Sequence, residues 1–222
     1  MTQTMRKTDQ ELKTAVTEEL HYTPNVDASG VEVQVDGGTV TLSGEVNSLP
    51  ERLAAKHAAM RVGGVTNVTN KTAVRALLPT EINDQTLAHA VGEALAWTVD
   101  VPANAVKADV RDQRVTLTGR VTWDYQRHAA TRAVTYLKGV KLVSNEILLE
   151  SAVPTAGTKA AAEAAIRRSA ELNPANITIG LDGSELTLHG SVGSWSQLRA
   201  AERAAWSAAG VTSVRNELHI AS

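Results

Sequence analysis

The side chains best suited to acid–base work or metal binding near neutral pH are six histidines, His21, His57, His89, His128, His189 and His219. None occupies the same place as another in the repeat described below. A repeated catalytic or metal site would place them in register, and general acid–base chemistry needs a partnered group in fixed geometry. The chain has no cysteine, which removes thiolate nucleophiles, thiolate metal ligands and disulfides. It also carries no glycine-rich phosphate loop and no Gly-x-Ser-x-Gly elbow. We therefore expect no catalytic residue, no metal site and no cofactor, and a protein that is not an enzyme.

The residues left for function are aromatic and basic. Trp123 and Tyr125, and Trp195 in the corresponding connection further on, fall between a strand and a helix. A large ring in an exposed loop inserts at a membrane interface or anchors a partner, whereas the structural alternative is a ring covering the core edge. Lys107, Arg114 and Arg120, with Asp109 among them, fall on the wet face of a predicted sheet, where they attract anionic headgroups or are simply solvated. Trp97, at the end of a predicted helix, and Trp206, inside another, are expected to be packing residues.

The elements that position these residues are written three times. Gly44, Gly119 and Gly190 are spaced by 75 and 71 residues, as are Gly64, Gly139 and Gly210, and Asn70, Asn145 and Asn216. Segments 9–75, 84–150 and 155–221 align without a gap and are taken as three domains; twelve columns are identical in all three.

Each copy opens with a helical stripe: Leu12, Val16, Leu20; then Leu87, Val91, Leu95; then Thr158, Ala162, Ile166. The helices are expected from Asp9, Asp84 and Thr155 onward, with Asp9 and Asp84 as N-caps. Two alternating strands follow, joined at Asp36-Gly37, at Arg111-Asp112 and at Asp182-Gly183. A second helix, about Pro50 to Val62 in copy one, presents Ala54, Ala55 and Ala58 inward. Gly64, Gly139 and Gly210 fall where a helix C-terminal glycine is expected. A last strand then begins near the repeated asparagine.

The order is α-β-β-α-β, so the fold class is α+β: three tandem domains, each a three-stranded mixed sheet with two helices on one face. Gly44, Gly119 and Gly190 lie inside a strand, and a helix packed close to that point is the expected reason. For Asn70, Asn145 and Asn216 the structural reading is turn or cap hydrogen bonding, and the sharper one is an ion site with nearby carbonyls.

Laid out this way, the pattern resembles the BON (bacterial OsmY and nodulation) domain family. The residues that carry it are Val-x-Val-x-Val-Asp-Gly-Gly-Thr-Val-Thr-Leu-Ser-Gly-Glu-Val at 31–46, Glu-Arg-x-Ala-Ala at 51–55 and Gly-Val-x-x-Val-x-Asn at 64–70, with counterparts at 115–121, 139–145, 186–192 and 210–216. The resemblance implies a non-catalytic binding or scaffold module, associated with phospholipid surfaces or an envelope protein under osmotic or envelope stress. The alternative it implies is a potassium or other small-ion sensor.

A net charge of -2, with no basic excess in any copy, argues against nucleic acid. No run of about 18 apolar residues suggests a transmembrane segment. The polar start and the lack of cysteine lead us to expect a cytoplasmic protein, unlike exported members.

Overall fold

A computed structural model describes residues 7–75, 82–150 and 157–221. Residues 1–119 with 125–148 form one compact unit, and 120–124 with 149–222 form a second. Each copy repeats the same build.

Copy one runs α1 (Asp9–His21), β1 (Val31–Asp36), β2 (Thr39–Val46), α2 (Leu49–Arg61), β3 (Asn67–Asn70) and β4 (Ala73–Val74). Copy two runs α3 (Asp84–Trp97), β5 (Val106–Arg111), β6 (Arg114–Val121), α4 (Asp124–Thr135) and β7 (Leu142–Leu149). Copy three runs α5 (Thr158–Arg168), β8 (Ile177–Asp182), β9 (Glu185–Val192), α6 (Trp195–Trp206) and β10 (Ser213–Ile220). In each sheet the second strand is central, antiparallel to the first in all three copies and parallel to the last in copies one and three.

The apolar stripes decide what is buried. Leu12, Val16 and Leu20 of α1 pack with Val33, Val40 and Leu42 of the sheet and with Ala55, Ala58 and Ala59 of α2. Ala162 and Ile166 do the same in copy three, against Leu186, Leu188, Ala201 and Ala205. The inner face of the second helix is rotated slightly from expectation. Ala129 and Ala200 are buried as expected and Ala54 is half-buried, while Ala59, Val134 and Ala205, not among the expected positions, are wholly buried. Positions 55 and 59 lie one helical turn apart and share the sheet-facing side.

Three expectations are corrected. First, Asp9 and Asp84 are not the N-caps. Thr8 caps α1 in a reciprocal capping box with Glu11, and Asn83 caps α3 through Thr86 N–H. Asp9 and Asp84 instead reach across to the hairpin turn. The Asp9 carboxylate accepts from Gly37 N–H (3.0 Å) and Gly38 N–H (3.1 Å), and that of Asp84 from Asp112 N–H (2.7 Å) and Gln113 N–H (2.9 Å). Thr155 lies outside the described residues, and α5 begins at Thr158, whose hydroxyl donates to Ala209 O (2.8 Å).

Second, the strand glycines are not spaces for a helix. A Cβ on Gly44 would stand 2.2 Å from Gly30 O, one on Gly119 2.1 Å from Ala105 O, and one on Gly190 2.0 Å from Asn176 O. The obstruction is the carbonyl just before the first strand. At each of these positions φ is also strongly positive, between 105° and 131°.

Third, Gly64, Gly139 and Gly210 stand beyond the helix cap, in a turn closed in copy one by Val65 N–H donating to Val62 O (3.2 Å). In copies one and two that turn lies over the start of the first helix, where a Cβ would meet Leu12 or Ile82.

Candidate interfacial surface

The asparagines close a local turn in the last strand, and in copies one and two they also tie it to the second helix. Asn70 Oδ1 accepts from Thr72 N–H (3.0 Å) and its Nδ2 donates to Arg52 O (2.9 Å). Asn145 Oδ1 accepts from Ile147 N–H (3.0 Å) and its Nδ2 donates to Arg127 O (3.1 Å). Asn216 Oδ1 accepts from Leu218 N–H (3.1 Å). Each side-chain oxygen thus holds a local turn, in keeping with the structural reading. In copy one this turn splits the last strand into β3 and β4, although Lys71 N–H still reaches Leu42 O (2.7 Å). Among the described residues no three His, Cys, Asp or Glu side chains stand together as a metal site would need.

In copies one and three, one end of the domain is gathered by a side chain at the start of the second helix. In copy one, the buried Glu51 carboxylate accepts from Asp27 N–H (2.8 Å) and Asn47 N–H (2.7 Å), pinning both loops that meet there. In copy three, Gln197 accepts from Gly193 N–H (2.7 Å). In copy two, the Val106–Gly119 pairing and the Ala105 carbonyl against Gly119 bring the loop leaving α3 to the outgoing end of β6. The end of α3 and the start of α4 therefore meet at the same end of the sheet.

That end carries exposed apolar side chains. Trp97 is 84% exposed and Val99 98% exposed, which corrects the expectation that Trp97 packs. Trp97 follows the last stripe residue, Leu95, by two positions, so it projects from the opposite side of the helix. Tyr22, in the same repeat column, is likewise exposed. That column, read beside the stripe, was the signal that sequence reasoning passed over. Trp206, by contrast, does pack against the copy-three core.

The six expected site residues divide. Tyr125 is exposed, but it belongs to the first turn of α4 and not to the connection. Trp195 is half-buried and is the first residue of α6. Trp123 is in the connection and 41% exposed. It also lines a cavity of about 40 Å³ with Trp206 and Gly210 inside the second unit, so it has less free surface than Trp97. Lys107, Arg114 and Arg120 are all exposed.

Lys107 pairs with Thr118, which puts it two residues from Arg120 on the same sheet face. Arg114 pairs with Arg111 at the hairpin, four pairs away and far from the aromatic end. Asp109 is engaged with Arg111 (2.9 Å) in an exposed pair of little energetic weight. The strand register thus places Lys107 toward the end of the sheet that β5 enters, and Arg114 at the opposite, hairpin end.

Comparison with known proteins settles what kind of domain this is. The BON domain profile matches residues 8–76, 83–151 and 154–222. The chain belongs to the BON domain family. Osmotically-inducible protein Y of Escherichia coli (strain K12) is 30% identical over 128 residues, which cover 55% of this chain and 63% of that protein. The match therefore spans less than two thirds of this BON relative.

Among solved structures, CdsD, a structural protein of the Type III secretion system of Chlamydia trachomatis, aligns over 94% of this chain and 91% of its own at 13% identity and a TM-score of 0.26. The PrgH periplasmic domain aligns over 86% and 95%, also at 13% identity, with a TM-score of 0.22. Scores this low carry no argument about the BON copies. No helix among the described residues is long and apolar enough to cross a membrane.

Proposed function

We propose that this chain is a non-catalytic binding protein that meets anionic phospholipid surfaces through one end of its second BON copy, in an osmotic- or envelope-stress role. The stress role draws on the osmotically-inducible relative. The observation that carries the surface is the exposure of both Trp97 and Val99, two residues apart where α3 ends. Indole rings favour the headgroup boundary because one edge is polar and the body apolar. Tyr125, at the start of α4, adds an exposed ring, and Lys107 supplies a cation that favours an anionic leaflet by about 1 kcal/mol near the surface. Arg114 and Trp195 play no part in this surface.

The test is co-sedimentation of the full chain with vesicles of phosphatidylglycerol and phosphatidylcholine, against phosphatidylcholine alone. A Trp ring of about 200 Å² that is half transferred at about 25 cal/mol per Å² contributes about 2.5 kcal/mol. W97A should then weaken partitioning by well over tenfold, and K107Q by about fivefold at low salt. An unmodified chain that stays in the supernatant with both vesicle types ends the proposal.

A further inference from the structure

The structure assigns a second binding site, separate from the aromatic end: a groove inside the first compact unit that takes a small free carboxylate bearing a short unbranched apolar tail. The groove is about 310 Å³, at the lower end of the range for small-molecule sites. Its floor is a stripe along α2, Leu49, Arg52, Leu53 and Lys56, at the spacing that puts four residues on one helix face. Leu142 and Val143, from the start of β7, form part of the facing wall.

Three observations define the occupant. Arg52 and Lys56 are half-buried, one turn apart, and among the described residues neither has a carboxylate partner. Arg52 gives one N–H to Asn70 O (3.3 Å), which orients the guanidinium and leaves its other donors for a ligand. The remaining polar lining offers little competition. The Thr131 hydroxyl donates to Arg127 O (3.2 Å) and the Thr135 hydroxyl to Thr131 O (2.7 Å). A site with two cations among leucines and valine, and with both lining threonine hydroxyls already donating elsewhere, suits one anionic head and one apolar tail.

The stripe is also peculiar to copy one. The same columns read Asp124, Arg127, His128 and Thr131 in copy two, and Trp195, Leu198, Arg199 and Glu202 in copy three. The repeated fold therefore does not require it.

The experiment is calorimetric titration of the full chain with sodium octanoate below its micelle concentration, with octanol (tail, no charge) and acetate (charge, no tail) as comparators. Octanoate should bind at least about tenfold more tightly than either, because each lacks one half of the recognition. K56Q should weaken octanoate by about tenfold, the worth of one charged hydrogen bond. L53N, at an exposed position that leaves the core intact, should weaken it by severalfold. W97A should leave octanoate binding unchanged and so separate this site from the vesicle surface. No heat with octanoate, equal binding of octanol, an unaffected K56Q, or loss of binding in W97A would each overturn the assignment.

Discussion

The hairpin of copy two is held in a conformation that its own residues resist, and Asp84 is what holds it. Asp112 and Gln113 have φ of 52° and 63°, where copy one places Gly37 and Gly38. A left-handed conformation costs an ordinary L-residue about 1–2 kcal/mol, and less for aspartate. Against that cost stand two hydrogen bonds to one carboxylate, at 2.7 and 2.9 Å, the second partly buried. Charged hydrogen bonds are worth about 1.5–3 kcal/mol each, and water on the exposed one reduces the pair to about 2 kcal/mol net.

D84A should therefore lower the opening free energy of the β5–β6 ladder by about 2 kcal/mol, a rise of about thirtyfold in amide exchange. D84N keeps one acceptor oxygen in place of two and should lose about half as much. The assay is native-state hydrogen exchange followed by NMR at Val115 and Leu117, with Val40 and Leu42 of copy one as the internal reference. A three-domain chain is poorly served by a single melting temperature, and residue-resolved exchange avoids that difficulty. Unchanged protection in D84A, or equal loss of protection in both copies, would refute the reasoning.

Three further outcomes follow from the same geometry. G119A should destabilise copy two by about 3 kcal/mol or more, since overpacking and positive-φ strain act together, while G92A in α3, where no atom lies within 4 Å of an added Cβ, should stabilise by up to about 1 kcal/mol; urea unfolding of both variants reads the contrast. Glu11 should titrate below the usual carboxylate range, because Thr8 N–H and then the Thr8 hydroxyl donate to it; its contribution to stability is full above the ordinary value and disappears as pH falls through the lowered one, and T8A, which removes the hydroxyl and keeps the backbone N–H, should raise it only part of the way back, as read by NMR titration. N145A removes the Ile147 and Arg127 bonds and that with the Thr131 hydroxyl (2.7 Å), and should cost copy two about 1–2 kcal/mol by exchange along β7.

The fold was legible because its signals were written three times. Apolar residues at positions such as 12, 16 and 20 fix a helix face, and alternation at 31–46 fixes a half-buried hairpin, whichever copy is read. What escaped the reading lay in contacts between distant segments. The periodicity around Gly44 shows that a side chain is excluded, but not that the excluding atom is the Gly30 carbonyl across the hairpin. Asp9 has the residue type of an N-cap and stands one position too late; only the folded chain shows its carboxylate 28 residues away at Gly37 N–H. The exposed Trp97 was within reach of sequence reasoning, since a residue two places past the last stripe position faces outward, but its label as a helix-ending aromatic hid it.

The columns shared by the three copies are the ones that build the domain: the strand glycine, the turn glycine, the asparagine that closes a turn in the last strand, and the alanines under the sheet. Because every copy uses them alike, they cannot account for one copy binding what another does not. That difference has to reside where the copies diverge. Tyr22, Trp97 and Arg168 share a column at the end of the first helix, and Pro24, Val99 and Ala170 share the one two places on. Copy two alone pairs two apolar residues there, and copy one alone carries Leu-Arg-Leu-Lys along its second helix. Two different surfaces on one repeated frame are what a sequence reaches when its core columns are fixed by packing and only its outward columns are free to change.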